Sequence, residues 1–325
     1  MSVFEATIDN RDGTLWDISE LCSEITYKTS RVGKPSSADV TLVGQSPFQD
    51  KKFAVANGDI LKIRVDGQGM FFGYVFKIGG GRDGEIKLTA YDQIRYLNET
   101  DTYVATNVTA EQVIRDNCAV GGLRIGELAK TNHVLPKVLE DGQKRLDMIY
   151  RALDSAMLAT GRLYVFYDDF GSLQLRDIAD MKLSLILGDD SLVYDYGTTR
   201  SIDEDTYNHV KLVQDNKTSG KRDAYYEWDS STMAKWGRLH YYQKVDDGMN
   251  EAQIRNMAAQ VLKLKNRETV SFSLEALGFV GLRAGMAVQV TIAEQQVDSF
   301  YLVEECTHKL SGDSHTMSLE MKVFG

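Results

Sequence analysis

Apolar and polar positions alternate through much of the first hundred residues. The runs Ile25–Thr29 and Ala38–Val43 combine that alternation with β-branched side chains, and Ile60-Leu-Lys-Ile-Arg-Val65 and Phe71–Ile78 lie either side of Asp66-Gly67. A period of two predicts half-buried strands, and Asp-Gly between two such runs predicts a tight hairpin. Gly79-Gly80-Gly81 turns the chain again ahead of Glu85-Ile-Lys-Leu-Thr-Ala-Tyr91, which alternates strictly.

The period lengthens after residue 100. Thr109-Ala-Glu-Gln112 reads as a capping box and Gly121-Gly122 as a stop, which together predict a helix near 109–118. Between Asp141 and Thr160, the residues Leu146, Ile149, Tyr150, Leu153 and Met157 share one helical face, and Gly161 lies past its end. Arg162–Tyr167 and Ser172–Arg176, joined through Phe170-Gly171, predict a hairpin. Residues 101–200 thus read as an α+β module.

Alternation returns from about residue 200. Tyr207–Val213 breaks at Asn216–Gly220, and Asp223–Trp228 can pair with it. Ser230–Trp236 is a short helix candidate. Asn250–Lys265 is a stronger one, with Ile254, Met257, Ala258, Val261 and Leu262 in one stripe. Strands are predicted at Thr269–Leu274, Met286–Ile292, Phe300–Thr307 and His315–Val323.

The two β-rich ends resemble each other. Val40 aligns with Val270 at an offset of 230, Gly58 with Gly285 at 227, Phe72 with Tyr301 at 229, and Ile86–Ala90 with Met317–Met321 at 231. Four strands in one order at a nearly constant offset point to an internal repeat. The first strands of the two sets, near Ile25 and near Val210, are only 185 apart, so the second set holds extra residues that include both late helices. The expected fold class is α+β, mainly β. Two related small β-barrel (tube-like) domains, 1–100 and 201–325, flank the α+β module at 101–200, and a helical insertion at about 229–266 interrupts the second barrel.

Composition narrows the function. The chain has 325 residues, 43% hydrophobic and 26% charged, which is ordinary for a globular protein and ample for several cores. No apolar run approaches the ~20 residues of a membrane span. The opening Met1-Ser-Val-Phe-Glu carries an acid where a signal peptide carries bases, so neither secretion by that route nor a membrane anchor is expected. The net charge of −10 disfavours non-specific nucleic-acid binding, because phosphate contacts need cations. Cys22, Cys118 and Cys306 are odd in number and far apart, which predicts free thiols rather than a disulfide framework or a zinc ribbon.

Reactive constellations are not apparent. His308 and His315 flank a short turn and can face each other across a hairpin, but a zinc site needs further ligands; His133, His209 and His240 stand apart. Asp168-Asp169, Asp189-Asp190, Asp203-Glu204-Asp205 and Asp246-Asp247 are neighbours in turns, whereas glycoside hydrolysis needs carboxylates converging from different elements. Gly67-Gln-Gly69-Met-Phe-Phe-Gly73 has the wrong spacing for a dinucleotide loop and precedes no helix. Lys263-Leu-Lys265-Asn-Arg267 ends a predicted helix, where cations suit the dipole. Tyr225-Tyr-Glu-Trp228 and His240-Tyr-Tyr242 are aromatic in the manner of interfaces. The expected catalytic, cofactor-binding and metal sets are therefore empty, and the expected function is not enzymatic.

Several segments carry a family resemblance. Tyr207-Asn-His-Val210, Lys235-Trp-Gly-Arg-Leu-His-Tyr-Tyr-Gln-Lys-Val-Asp-Asp247, the Asn250–Leu262 helix, Leu277-Gly with Leu282-Arg-Ala-Gly285, and Glu305-Cys-Thr-His308 with His315-Thr-Met-Ser-Leu319 resemble the XkdQ/YqbQ family of phage-like elements such as PBSX. Thr109–Cys118 and Ala159–Arg176 fit the same pattern, and the first hundred residues match by β pattern only. That family is similar to the baseplate hub of contractile-tail phages and to the base of type VI secretion spike proteins. The resemblance implies a homotrimeric ring in the virion tail baseplate, made in the bacterial host cytoplasm. Three chains would present six nearly equivalent units, adapting a six-fold tail tube to a three-fold central spike. Implied partners are the chain itself, the tail tube protein, the spike and other baseplate proteins, which can include a LysM-containing one. DNA would be only passing cargo in the lumen. A phage, a prophage remnant and an R-type bacteriocin fit alike. The rival readings are a tail-associated cell-wall hydrolase and a carbohydrate-binding host-adhesion module.

Overall fold

Nearly every period-two segment becomes a strand. The computed structural model describes residues 4–44, 50–82, 84–203, 205–216, 220–245, 247–295 and 297–324. The opening strands are β1 (Phe4–Asp9), β2 (Leu15–Asp17), β3 (Cys22–Ser30), β4 (Ser37–Leu42), β5 (Ile60–Val65), β6 (Gln68–Gly80) and β7 (Ile86–Tyr91). The module adds β8 (Thr100–Thr109), α1 (Ala110–Val120), β9 (Ile125–Leu128), β10 (Val134–Lys144), α2 (Arg145–Thr160), β11 (Tyr164–Asp168) and β12 (Leu173–Asp177). Then come β13 (Lys182–Gly188), β14 (Val193–Ser201), β15 (His209–Asn216), β16 (Lys221–Trp228), α3 (Ser230–Trp236), β17 (His240–Lys244) and α4 (Glu251–Lys265). The chain closes with β18 (Thr269–Leu277), β19 (Ala287–Ile292), β20 (Val297–Ser311) and β21 (Ser314–Val323). Two compact units result: Met1–Gly197 with Phe272–Gly325, and Thr198–Ser271.

Both β-rich ends join one thirteen-stranded sheet, ordered β14-β18-β21-β20-β3-β4-β7-β6-β5-β1-β2, with β13 paired to β19 and β19 to β20. Cut between β20 and β3, the halves read β3-β4-β7-β6-β5-β1 and β14-β18-β21-β20-β19-β13. Matching strands follow one order. The register between β6 and β7 shifts between Val75 and Lys77, and that between β20 and β21 shifts between Val303 and Glu305, an equal displacement of 228. Gly58 donates to the Val75 carbonyl at 2.7 Å and Gly285 to that of Val303 at 2.8 Å. Val75 and Val303 donate in turn to Asp59 and Met286, both at 2.9 Å. Both glycines take a positive φ, +95° and +91°, which disfavours any side chain there.

The structure corrects the alignment in three places: the displacement of 228 sets Phe72 on Phe300 rather than Tyr301, and the first two strands of each set also move. Val43 donates to Leu21 at 2.8 Å, and Leu277 donates to Leu192 at 2.9 Å. These bonds carry β3 onto β14 at an offset of 171 and β4 onto β18 at 234, in keeping with buried Ala38, Val40 and Leu42 against buried Phe272, Leu274 and Ala276. The counterpart of the strand at Ile25 is therefore β14, not the strand at Val210, which lies in a separate sheet. The alternation that predicts a strand cannot say which sheet it joins, and β14 leaves most of its side chains exposed and so lacks a clear apolar period. Nor does either half close as a barrel. The long β20 faces β19 along Val297–Leu302 and β3 along Glu305–Leu310, so the edge on that side is taken by the other half. One strand differs in direction: β1 runs antiparallel to β5, β13 parallel to β19.

The module packs α1 and α2 with the β8–β10 pair and the β9-β12-β11 sheet around Ile114, Leu146, Ile149, Phe166 and Leu175. Helix α2 begins only at Arg145, because β10 occupies Val134–Lys144 against β8. Arg145 is buried and donates to Glu99 at 2.6 Å and to Asn117 at 3.3 Å. The capping box at Thr109 does not form: Thr109 is still paired to Val134, and Gln112 donates to Asp116 instead. Strands β8 and β10 expose most of their side chains, which is why the period-two signal misses them.

The second unit is a β16-β15-β17 sheet with α4 on one face, buried through Ile254, Ala258 and Val261. Its capping box is genuine, Asn250 and Gln253 exchanging bonds at 2.9 and 3.0 Å.

Candidate assembly surface

The histidine pair sits where the hairpin pattern sends it. His308 Nε2 lies 2.8 Å from the Leu282 carbonyl, which can only accept, so that nitrogen carries the proton. Nδ1 of His308 then accepts from His315 Nε2 at 3.0 Å. Cys306 Sγ lies 3.2 Å from His308 Nε2, and Nδ1 of His315 is buried without a partner among the described residues. Desolvation pushes His308 down to about 4, a neutral ring at ordinary pH. Among the described residues no group of three ligating side chains is arranged to hold a metal. Burial also pushes the thiols of Cys22, Cys118 and Cys306 up to about 12, so they are poor nucleophiles.

The carboxylates divide into turn formers and one buried pair. Asp189 accepts from Ala293 at 2.8 Å, Asp203 donates its amide to Ser201 at 3.0 Å, and Asp205 pairs with Lys265 at 2.5 Å. Glu204 and Asp246 lie outside the described residues. Asp168 receives the Gly171 amide at 2.5 Å in its turn, and Gln93 at 2.7 Å. It lines a narrow crevice with Asp92, Tyr27, Ser36 and Phe170. Asp92 receives the amides of Ser36 and Ile94 at 2.9 and 3.0 Å. Desolvation first, and the Asp168 charge second, hold Asp92 well above the usual carboxylate range. Arg283 lies over the Tyr167 ring at 3.9 Å and donates to the Asp168 carbonyl at 2.8 Å. This cluster ties the module to both repeats, and both of its carboxyls are buried. Sequence reasoning missed Asp92 and Arg283; an Asp following a strand and opening a short 3-10 turn was the available signal for the first.

Open backbone edges are the larger feature. β6 pairs with β5 only as far as Tyr74, so among the described residues no strand lies against that side of 76–80. β14 ends the ladder, and among the described residues it pairs only with β18. In β3, Ile25, Thr26, Tyr27 and Thr29 are buried beside β20, whereas of the matching β14 residues Thr198 and Arg200 are exposed and Tyr196 and Gly197 half-buried. In the second unit, Trp228, Tyr226 and Tyr242 are 56%, 41% and 51% exposed, and they line one sheet face with His209 and Lys211. His209 stacks on Trp228, and Lys211 lies over both tyrosine rings.

Known proteins share the sequence pattern and the fold. A family model described as YQBQ-like matches residues 25–322. The PBSX phage-like element protein XkdQ of Bacillus subtilis (strain 168) is 29% identical over 311 residues, 93% of each chain. The fold is shared with a 43 kDa tail protein of prophage MuSo2 from Shewanella oneidensis, TM-score 0.71, 12% identity, covering 98% of both chains. An E. coli type VI secretion component, described as similar to bacteriophage T4 tail proteins gp27 and gp5, gives a TM-score of 0.57 at 10% identity over 98% of this chain and 75% of that one.

Proposed function

The chain belongs to the YQBQ-like family, and from that premise we propose that it is the structural baseplate hub of a contractile phage tail or phage-like particle. Three copies form a ring that joins the six-fold tail tube to the three-fold spike. The observation that carries this reading is the repeat: one strand order, one bulge position and one glycine turn occur twice in each chain. A trimer of such chains offers six near-equivalent seats, which is what a tube of six-fold symmetry requires. The ring rests on extended sheet edges and shape rather than on reactive groups. Its partners are the tube protein, the spike and other baseplate proteins, and DNA only passes through.

The test is deletion of the gene from a particle-forming locus, with native mass measurement of the hub in intact particles. Tails that end without a baseplate, and three copies per particle, are expected. Complete baseplates without the chain, or a copy number other than three, would overturn the reading.

One observation favours a second reading. The Trp228, Tyr226 and Tyr242 face offers flat apolar rings beside polar groups, as sugar-binding surfaces do. Glycan-array binding that Trp228→Ala abolishes would support a host-adhesion role for this unit; no binding would remove it. Of the carboxylates, Asp92 and Asp168 are buried.

A further inference from the structure

Resting on the trimeric reading above, we propose that the free edge of β6 in one copy takes the free edge of β14 in a second copy as its antiparallel partner. The β20–β3 junction made within each chain is thereby repeated between chains.

The internal junction supplies the template. Glu305 through Leu310 pair with Ser30 back through Ile25. The shared bulge carries β20 onto β6, Glu305 falling on Lys77. The matched Leu21 and Leu192 bonds carry β3 onto β14, and the two nine-residue strands align end to end, Ser30 falling on Ser201. The transferred register sets Lys77 opposite Ser201, Ile78 opposite Arg200, Gly79 opposite Thr199 and Gly80 opposite Thr198.

Side-chain chemistry at the end of the junction is exchanged rather than lost. Within the chain, Arg31 grips Glu304 at 2.9 and 3.1 Å, and Lys34 meets Glu305 at 2.8 Å. Carried by the same offsets, the first pair becomes Ile202 with Phe76, apolar on both sides. The second becomes Asp205 with Lys77, the same ion pair with its signs reversed; Asp205 also holds Lys265. Natural sheets seldom leave such edges open, and a strand from another chain is the ordinary way to cover one. The contact is head to tail, since β6 and β14 are different edges, and a head-to-tail contact closes as a ring when its rotation divides the circle.

The test places Lys77→Cys and Ser201→Cys together in the full chain and oxidises assembled tail particles. Linked species at the mass of three chains are expected on a non-reducing gel, with neither single variant linking and with Lys77→Cys plus Tyr194→Cys unlinked. Ile78→Cys with Arg200→Cys serves as a second in-register pair where the first prevents assembly. Particles that hold three copies yet show no link from either pair would overturn the edge pairing and leave the trimer standing. A native copy number other than three would overturn both.

Discussion

The opening and closing halves of the great sheet are built alike and covered differently. Each turns on a glycine of positive φ, each bends its long strand at the same bulge, and each orders its strands the same way. Yet β3 is buried beside β20 while β14 is bare along its outer edge, and the module leans on the closing glycine but not on the opening one. A repeat therefore conserves the backbone frame, and the surroundings of each copy decide what a given position can tolerate.

The glycines break that comparison most sharply. A Cβ on Gly285 would lie 2.5 Å from Val165, whereas one on Gly58 would meet nothing within 4 Å. Gly58→Ala bears only the left-handed backbone cost, ~1–2 kcal/mol, while Gly285→Ala adds an overpacking cost of ~1–3 kcal/mol. Urea midpoints should therefore rank wild type, Gly58→Ala and Gly285→Ala in falling stability; equal losses would mean that the module does not press on the closing half.

A pH series sharpens the contrast between the two buried clusters. Asp92 holds its proton more tightly folded than unfolded, so its contribution is complete below the ordinary carboxyl value near 3.9 and is lost as the pH rises through the folded one. His308, depressed to about 4, behaves oppositely: its contribution is complete above about 6.5 and lost as the pH falls through about 4. Asp92→Asn removes the first slope, at most ~1.4 kcal/mol per pH unit. The variant should lose more stability than wild type on going from pH 8 to pH 5, by denaturant titration at each pH. An unchanged difference would mean that Asp92 ionises normally.

Smaller effects probe the junction of the halves. Arg31 and Glu304 are 19% and 20% exposed, and Arg31→Ala should cost ~1 kcal/mol with two charge-assisted bonds gone. Lys34 and Glu305 are 68% and 52% exposed, so Lys34→Ala should change the melting curve by no more than ~0.5 kcal/mol. A larger loss at Lys34 than at Arg31 would mean that the junction is loaded at its rim.

Local chemistry was legible from the residues themselves. Alternation marked β4 to β7 and β19 to β21, Asp66-Gly67 formed its hairpin with φ of +50° and +75°, and the Gly58–Gly285 and Ile86–Met317 offsets were those the backbone later displayed. These signals survive because period and turn preference act over a few residues. Partnership between distant strands carries no such local mark. Strand β15 alternates as cleanly as β3 yet joins another sheet, β14 hardly alternates and is the true counterpart, and Asp92 meets Asp168 only because the module docks there. Which edge stays open and which carboxyl loses its water are set by long-range packing, so they became visible only in the folded chain.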